Sequence, residues 1–445
     1  MSLRTHVTTL TAKSILHRST KVLVAALASV LSVLVLNAAS AQSASEKKDS
    51  LAAAIAAVCA RRTINGLSIQ NAVPGSWLLE DTVSTSDGAP LRQDIRLALP
   101  EGSELTLEIR FAGGAPRQVR ASYFTLTDQQ LVPDLLAIAD GGCTIRSARS
   151  IRRGQTPWVY LDQLDGDMET LRWTEILQAP WPPGVVTQGV PVALVDSGLA
   201  YDLPLFRDRL ARDAEGEPIG YDFWDMDPWP YDGDTSRGAF LPVRHGTAVA
   251  SILAREAPNA VLAPMRYPRP DMNRMADIVA QSIEHGVKIL AMPLGSNAPD
   301  DWTAFADAIK DQDILAIVSA GNNGRDIDRE PVYPASLTLE NILTVTSADG
   351  FGRLAPGSNW GQESVDLMVP AENIAVTDFR GAAGVTSGSS YAVPRVAALA
   401  ARILENQPHL SARELKTQIL ARAAPSPFEK ERLVAAGWIP DPDKD

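Results

Sequence analysis

The hydrophobic period of this chain changes near residue 180. Upstream, apolar and polar residues alternate: Leu105, Leu107, Ile109 and Phe111 are separated by Thr106, Glu108 and Arg110, the two-residue period of a half-buried strand. The turn Ala112-Gly113-Gly114-Ala115-Pro116-Arg117 leads into Gln118–Phe124, so a hairpin is expected there. An alanine-rich helix is expected over Leu51–Arg61. Residues 42–178 therefore predict a small antiparallel β-rich domain, followed by a Pro-rich linker over 179–184. Downstream the apolar runs no longer alternate. Val190–Val195, Ala260–Arg266, Val287–Met292, Ile314–Val318 and Ile342–Val345 are continuous, and helical stretches at Ala248–Arg255, Met272–His285 and Trp302–Lys310 lie among them. Strand and helix in alternation imply parallel pairing through crossover helices, so residues 185–430 are expected to form an α/β, doubly wound, mostly parallel sheet. Ser411 and Glu414 form a capping box for a last helix, with Leu415, Ile419, Leu420 and Ala423 as its buried stripe. Residues 431–445, rich in proline and charge, predict a loosely held tail.

The first 41 residues stand apart. Arg4, Lys13, Arg18 and Lys21 precede an apolar run from Val22 to Leu36, and Ala39-Ser40-Ala41 supplies small residues for a peptidase. This is the pattern of a secretory leader cleaved near Ala41. The run falls short of the roughly 20 apolar residues a spanning helix needs, so no stable membrane anchor is expected. Losing the leader removes four basic residues and no acid, which takes the net charge from −12 to −16. Such a chain is a poor nucleic-acid binder. In a secreted or periplasmic setting the two cysteines, Cys59 and Cys143, are expected to pair.

Any histidine chemistry must use His245, His285 or His409, because His6 and His17 leave with the leader. His245 opens a helix, where the positive dipole end disfavours a proton and favours the neutral imidazole of a general base. His285 closes a helix before Gly286, and His409 lies in a connection, so both are assigned structural places. Asp196 follows the apolar run Val190-Pro-Val-Ala-Leu-Val195, where a buried parallel strand emerges. Ser390 sits at a helix start after Thr386-Ser387-Gly388-Ser389. A serine there has its own N–H pointing outward, and a nucleophilic serine needs such a donor beside a base and an acid.

Three blocks, Asp196-Ser197-Gly198, His245-Gly246-Thr247 and Gly388-Ser389-Ser390-Tyr391-Ala392-Val393-Pro394, resemble the signatures of the subtilisin-like serine proteases, in that family's order of Asp, His and Ser. Ser319–Gly324 resembles the segment carrying the family's oxyanion-hole asparagine, which implies that role for Asn322. Leu294-Gly295-Ser296 resembles the strand that lines the substrate cleft, and Tyr333-Pro334-Ala335 the turn after the oxyanion segment. The resemblance covers about Val190–Ala423. It implies a serine endopeptidase acting on polypeptide substrates, in which Asp196 orients His245, His245 takes the proton of Ser390, and an acyl-enzyme forms. Ser389 replaces the family's usual threonine, Ala248 a second histidine, and Pro293 a serine on the cleft strand. The last removes one N–H from strand-like pairing with substrate. Family members are usually made with a propeptide; residues 42–178 occupy that position without a recognisable propeptide motif, so removal and retention as an accessory domain both stand.

The acidic run Tyr221–Asp234 suits calcium but lacks a complete ligand-loop spacing. It is expected to be a solvated acidic loop with Trp224 and Trp229 packed down. No cofactor is required, no catalytic metal is expected, and calcium would serve only as a structural ion. Two other functions fit parts of the pattern. An esterase of the α/β-hydrolase plan needs a histidine after the serine, and only His409 follows. A catalytically silent binding or scaffold protein would keep the fold, but none of the blocks is damaged.

Overall fold

The structure, a computed structural model, describes residues 44–60, 64–186, 188–428 and 432–444. The expected leader lies outside them. Among the described residues no helix is long and apolar enough to cross a membrane. The chain divides into two compact units, one of residues up to Ile151 with Asp162–Thr174, the other of Arg152–Leu161 with Glu175–Asp445.

The upstream strands are β1 Trp77–Ser86, β2 Ala89–Ala98, β3 Glu104–Ala112, β4 Ala115–Thr127, β5 Gln130–Asp140, β6 Ile145–Arg153, β7 Val159–Asp165 and β8 Leu171–Gln178. They pair in chain order, antiparallel from β1 to β6. Helix α1, residues 44–59, supplies Leu51, Ala54, Ile55 and Val58 to a core shared with Leu105, Leu107 and Ile109 of β3, the residues marked by the period of two. A short helix α2, Gly66–Gln70, follows. Cys59 and Cys143 form a disulfide.

In the second unit the strands are β9 Val190–Asp196, β10 Tyr221–Asp222, β11 Ala260–Arg266, β12 Ile289–Met292, β13 Leu315–Ser319, β14 Ile342–Ala348, β15 Leu367–Pro370, a hairpin of β16 Ile374–Thr377 with β17 Ala383–Thr386, and β18 Gly437–Trp438. The helices are α3 Pro204–Arg207, α4 Gly246–Glu256, α5 Met275–Glu284, α6 Thr303–Ile309, α7 Ser389–Asn406 and α8 Ala412–Leu420. The large sheet runs β10-β11-β9-β12-β13-β14-β15-β18, and every pairing is parallel. Both faces are covered, which is why the strands are apolar without alternation. Val192, Leu194, Ile289, Ala291, Leu315 and Ile317 pack on one side with α4 and α7. Ala193, Val195, Leu290, Met292, Ala316 and Val318 pack on the other with α5 and α6. From β9 the chain goes to β10 and β11 on one side and then to β12 on the other. The strand order therefore reverses beside β9, and a crevice opens at the carboxyl ends of β9 and β12.

Two boundaries differ from expectation. Residues 179–184 are not a free linker: Ala179 is fully buried, and the Trp181 ring stacks on Tyr201 with centroids 4.3 Å apart. Residues 432–444 are not a loose tail. Gly437 and Trp438 pair with Leu367 and Met368 as an edge strand, and Ile439 is fully buried. Trp438 packs so closely on Gly352 that a Cβ there would lie 2.7 Å from the indole. The proline and charge content of the tail concealed one apolar anchor.

Candidate active site

Asp196 stands at the exit of β9, 4% exposed, and its Oδ1 accepts from the Ser197 N–H at 2.6 Å. Both carboxylate oxygens lie 2.9 Å from Nδ1 of His245. His245 is the N-cap of α4 and offers that helix no side-chain cap. The free N–H groups are taken instead by two residues from elsewhere. Ser197 Oγ accepts from the Gly246 N–H at 2.9 Å, and Asp232 Oδ2 from the Thr247 N–H at 3.0 Å. Asp232 Oδ1 in turn accepts from Ser197 Oγ at 2.6 Å, and Asp232 has no exposed surface. A buried carboxylate is tolerable here because it meets a helix N-terminus and several donors. Gly246 permits the close approach of this helix to the Asp196 turn: a Cβ would sit 2.0 Å from the Gly198 carbonyl oxygen.

The acidity of His245 departs from the expectation for a helix start. Burial pushes the imidazolium down, but Asp196, with Asp232 and Asp234 behind it, more than offsets this, so the net direction is upward from the ordinary value. The carboxylates outweigh the helix dipole at this position.

Ser390 lies in the first turn of α7, after Gly388, whose φ of 129° few side chains adopt and where a Cβ would lie 3.1 Å from Asn322 Oδ1. The Ser390 hydroxyl donates to the Pro293 carbonyl at 3.3 Å, not to His245. Pro394 falls beyond the first turn, so the Ser390 carbonyl lacks its ordinary helical donor. Asn322 Oδ1 accepts from the Ser389 N–H at 2.9 Å and the Ser389 hydroxyl at 3.0 Å. Ser389 is fully buried, and its Oγ lies 2.7 Å from Ser319 Oγ. Each hydroxyl has one proton, so Ser319 donates to Ser389 and Ser389 to Asn322. With its amide oxygen held in this way, Asn322 is left with its NH2 as the outward donor. Asn359, fully buried, accepts from the N–H groups of Asn323 and Arg325 and donates to the Ala320 carbonyl, which fixes the rest of that loop.

Asp196, His245, Asn322, Ser390, Leu294, Gly295 and Ser296 all line one cleft of about 460 Å³, with Tyr267, Arg269 and Val332 on its other walls. Ser296 differs from its expected part. Its N–H and carbonyl pair with Tyr333 at 2.8 Å each, and its Oγ accepts from Trp302 Nε1 at 3.0 Å, so its backbone is closed to a substrate strand. His285 caps α5 and His409 lies before α8; neither lines the cleft.

The acidic run is not a solvated loop. Asp222 and Arg266 pair at 2.7 Å with both side chains buried, and Asp225 meets the same guanidinium at 2.5 Å. Asp227 accepts from Gln178 at 3.0 Å, and Asp234 from the Tyr267 hydroxyl at 2.8 Å. Burial pushes Asp222 up to about 6, with Arg266 pulling the other way. Among the described residues no group of three or more His, Cys, Asp or Glu side chains is placed to hold a metal ion. The carboxylates of this run are engaged by protein partners. The buried Asp232 and the Ser319–Ser389 relay escaped sequence reasoning, although Asp232 does lie in the singled-out acidic run.

The sequence profile described as the subtilase family matches residues 187–438. A "Thermophilic serine proteinase" of Bacillus sp. (strain AK1) is 30% identical over 50% of this chain and 53% of its own length. The "Major intracellular serine protease" of Bacillus subtilis (strain 168) is 26% identical over 64% of this chain and 91% of its own length. Among solved structures, "a cold adapted subtilisin-like serine proteinase" superposes with a TM-score of 0.47 at 21% identity, covering 57% of this chain and 88% of its own. The chain thus spans about half the length of the first of these relatives.

Proposed function

Since this chain belongs to the subtilase family, we propose that it is a serine endopeptidase whose nucleophile is Ser390, whose base is His245 and whose orienting acid is Asp196. The observation that carries this reading is the 2.9 Å contact of both Asp196 oxygens with His245 Nδ1, in a cleft that Ser390 and Asn322 share. With Nδ1 held by the carboxylate, Nε2 is the basic nitrogen. A turn of the Ser390 side chain from the Pro293 carbonyl to Nε2 aligns the hydroxyl for proton transfer as it attacks a peptide carbonyl. Apo active sites often hold such bonds open until substrate arrives. The oxyanion then meets the Asn322 NH2 and the Ser390 N–H, and Asp196 stabilises the imidazolium. The imidazolium protonates the leaving amine, and water hydrolyses the ester by the same path in reverse.

An extended polypeptide is the substrate, with Leu294 and Gly295 as the open wall. The leader and the Cys59–Cys143 disulfide support work in a secreted or periplasmic compartment. The test is a fluorophosphonate probe with a peptide-hydrolysis assay. The parent chain labels at Ser390, and Ser390→Ala loses labelling and about 10⁴-fold or more in kcat. Hydrolysis by Ser390→Ala at the parent rate would sink the assignment.

A further inference from the structure

The stretch Glu175–Pro182, upstream of the matched family region, belongs to the same compact unit as Asp196 and His245. The Glu175 carboxylate lies 3.5 Å from Nη2 of Arg244, the residue before His245, and each side chain is 8% exposed. Arg244 also donates to the Ile176 carbonyl at 3.3 Å and lies over the Phe379 ring. Its Nε and Nη1 are buried without a hydrogen-bond partner, and the carboxylate beside it is Glu175, which also lies 3.4 Å from Arg380 Nη2. Gln178 donates to Asp227 at 3.0 Å, and the Ala179 carbonyl accepts from the Tyr201 hydroxyl at 2.6 Å. Trp181 stacks on Tyr201, and the Pro182 carbonyl accepts from Arg212 at 2.7 Å. One short segment thus touches the turn after Asp196, the run that contains Asp232, and the residue that precedes His245.

A second piece of upstream chain, Arg152–Leu161, belongs to the same unit, with Trp158 packed against its core. The chain therefore passes between the units three times, after Ile151, after Leu161 and after Thr174. A segment that one cut removes without taking any part of the second unit needs a single crossing. Here a cut at the Pro-rich stretch carries away both Arg152–Leu161 and Glu175–Gln178, and a cut between residues 162 and 174 still carries away the first.

We propose that the upstream β-rich unit is a permanent part of the working chain, and that Glu175 is a positioning residue which holds His245 through Arg244. This rests on the protease reading above. The first test is the intact mass of the fluorophosphonate-labelled species from the full chain. Its N-terminus is expected at or before Leu51, the first core residue of the upstream unit, whereas a labelled, active species beginning beyond it overturns the proposal. The second places a recognition sequence for an unrelated site-specific protease in the exposed stretch 183–186. Cutting and removing the upstream fragment lowers kcat about 10²-fold, as misplacement of a reacting group does, and lowers the thermal midpoint. Unchanged kcat and midpoint overturn it. Glu175→Gln is expected to lower kcat about tenfold with KM within about twofold, and Glu175→Asp to restore most of the loss. A fall in thermal midpoint with kcat unmoved would remove the positioning role. Should only the cut chain hydrolyse peptide, the protease reading stands and this proposal falls. Should neither form label, the protease reading falls, and the midpoint on cutting decides whether the upstream chain is integral.

Discussion

The two halves of the site are braced by opposite means. Around His245 the supports are charged: Asp196 on the ring, Asp232 under the helix start, and Glu175 on Arg244. Around Ser390 and Asn322 they are neutral: the Ser319 and Ser389 hydroxyls and the Asn322 amide. The proposed reaction explains the difference. His245 must become a cation, so carboxylates beside it stabilise the transition state. The oxyanion is negative, so a carboxylate there would oppose it, whereas the neutral donors present do not.

Asp196→Asn attacks the charged half most directly and carries the largest effect of the four changes that test this contrast. A loss of about 10⁴-fold in kcat is expected. Activity rises as His245 loses its proton, and the raised His245 value places the acid limb above about 6.5. In the variant that limb moves to lower pH, and a pH–rate profile checks it. The same shift bears on stability. The contribution of His245 is fully present below about 6.5 and is lost as pH rises through its raised folded value.

Asn322→Ala tests the neutral half. One oxyanion donor removed costs about 10²–10³-fold in kcat, and the acid limb stays where it was. A limb displaced as far as in Asp196→Asn would show that the halves are not electrostatically distinct. Asp232→Asn keeps the shape of the α4 cap and removes its charge. About 1–3 kcal/mol of stability is expected to go, read from denaturant midpoints, with a loss of kcat smaller than for Asn322→Ala. Asp222→Asn lies outside both halves and has the smallest effect on turnover. Asp222 is held up to about 6 against an ordinary 3.8, so between those values the folded chain binds more protons than the unfolded one. Stability therefore falls as pH rises through that window, and the variant flattens the slope. An unchanged slope would remove Asp222 as its source.

Residues whose roles depend on neighbours in sequence were legible. The alternation in β3 and the continuous runs of β9, β11, β12, β13 and β14 foretold one half-buried and one doubly covered sheet. Asp196 and His245 stood at a strand exit and a helix start, as their blocks implied. Roles that depend on a distant partner were not legible. Asp232 caps a helix that begins beyond a long loop, Ser296 is closed by Tyr333, and Ala179 is buried under Tyr201. Proline and acid content suggested solvent exposure at Asp232, at Ala179 and in the tail, all of them places where the chain needed an anchor.

What the sequence determined by itself was periodicity and residue chemistry, because the twofold and 3.6-fold repeats and the reach of a helix cap are local properties of the backbone. It also supplied the serine, histidine, aspartate and asparagine in family order. The tertiary structure decided which groups share a proton, a charge or a wall. Hydrogen bonds and ion pairs act over a few ångströms in space whatever their separation along the chain. Only the folded parallel sheet, with its strand order reversing beside β9, brings Asp196, His245 and Ser390 to one cleft and sets Glu175 against Arg244.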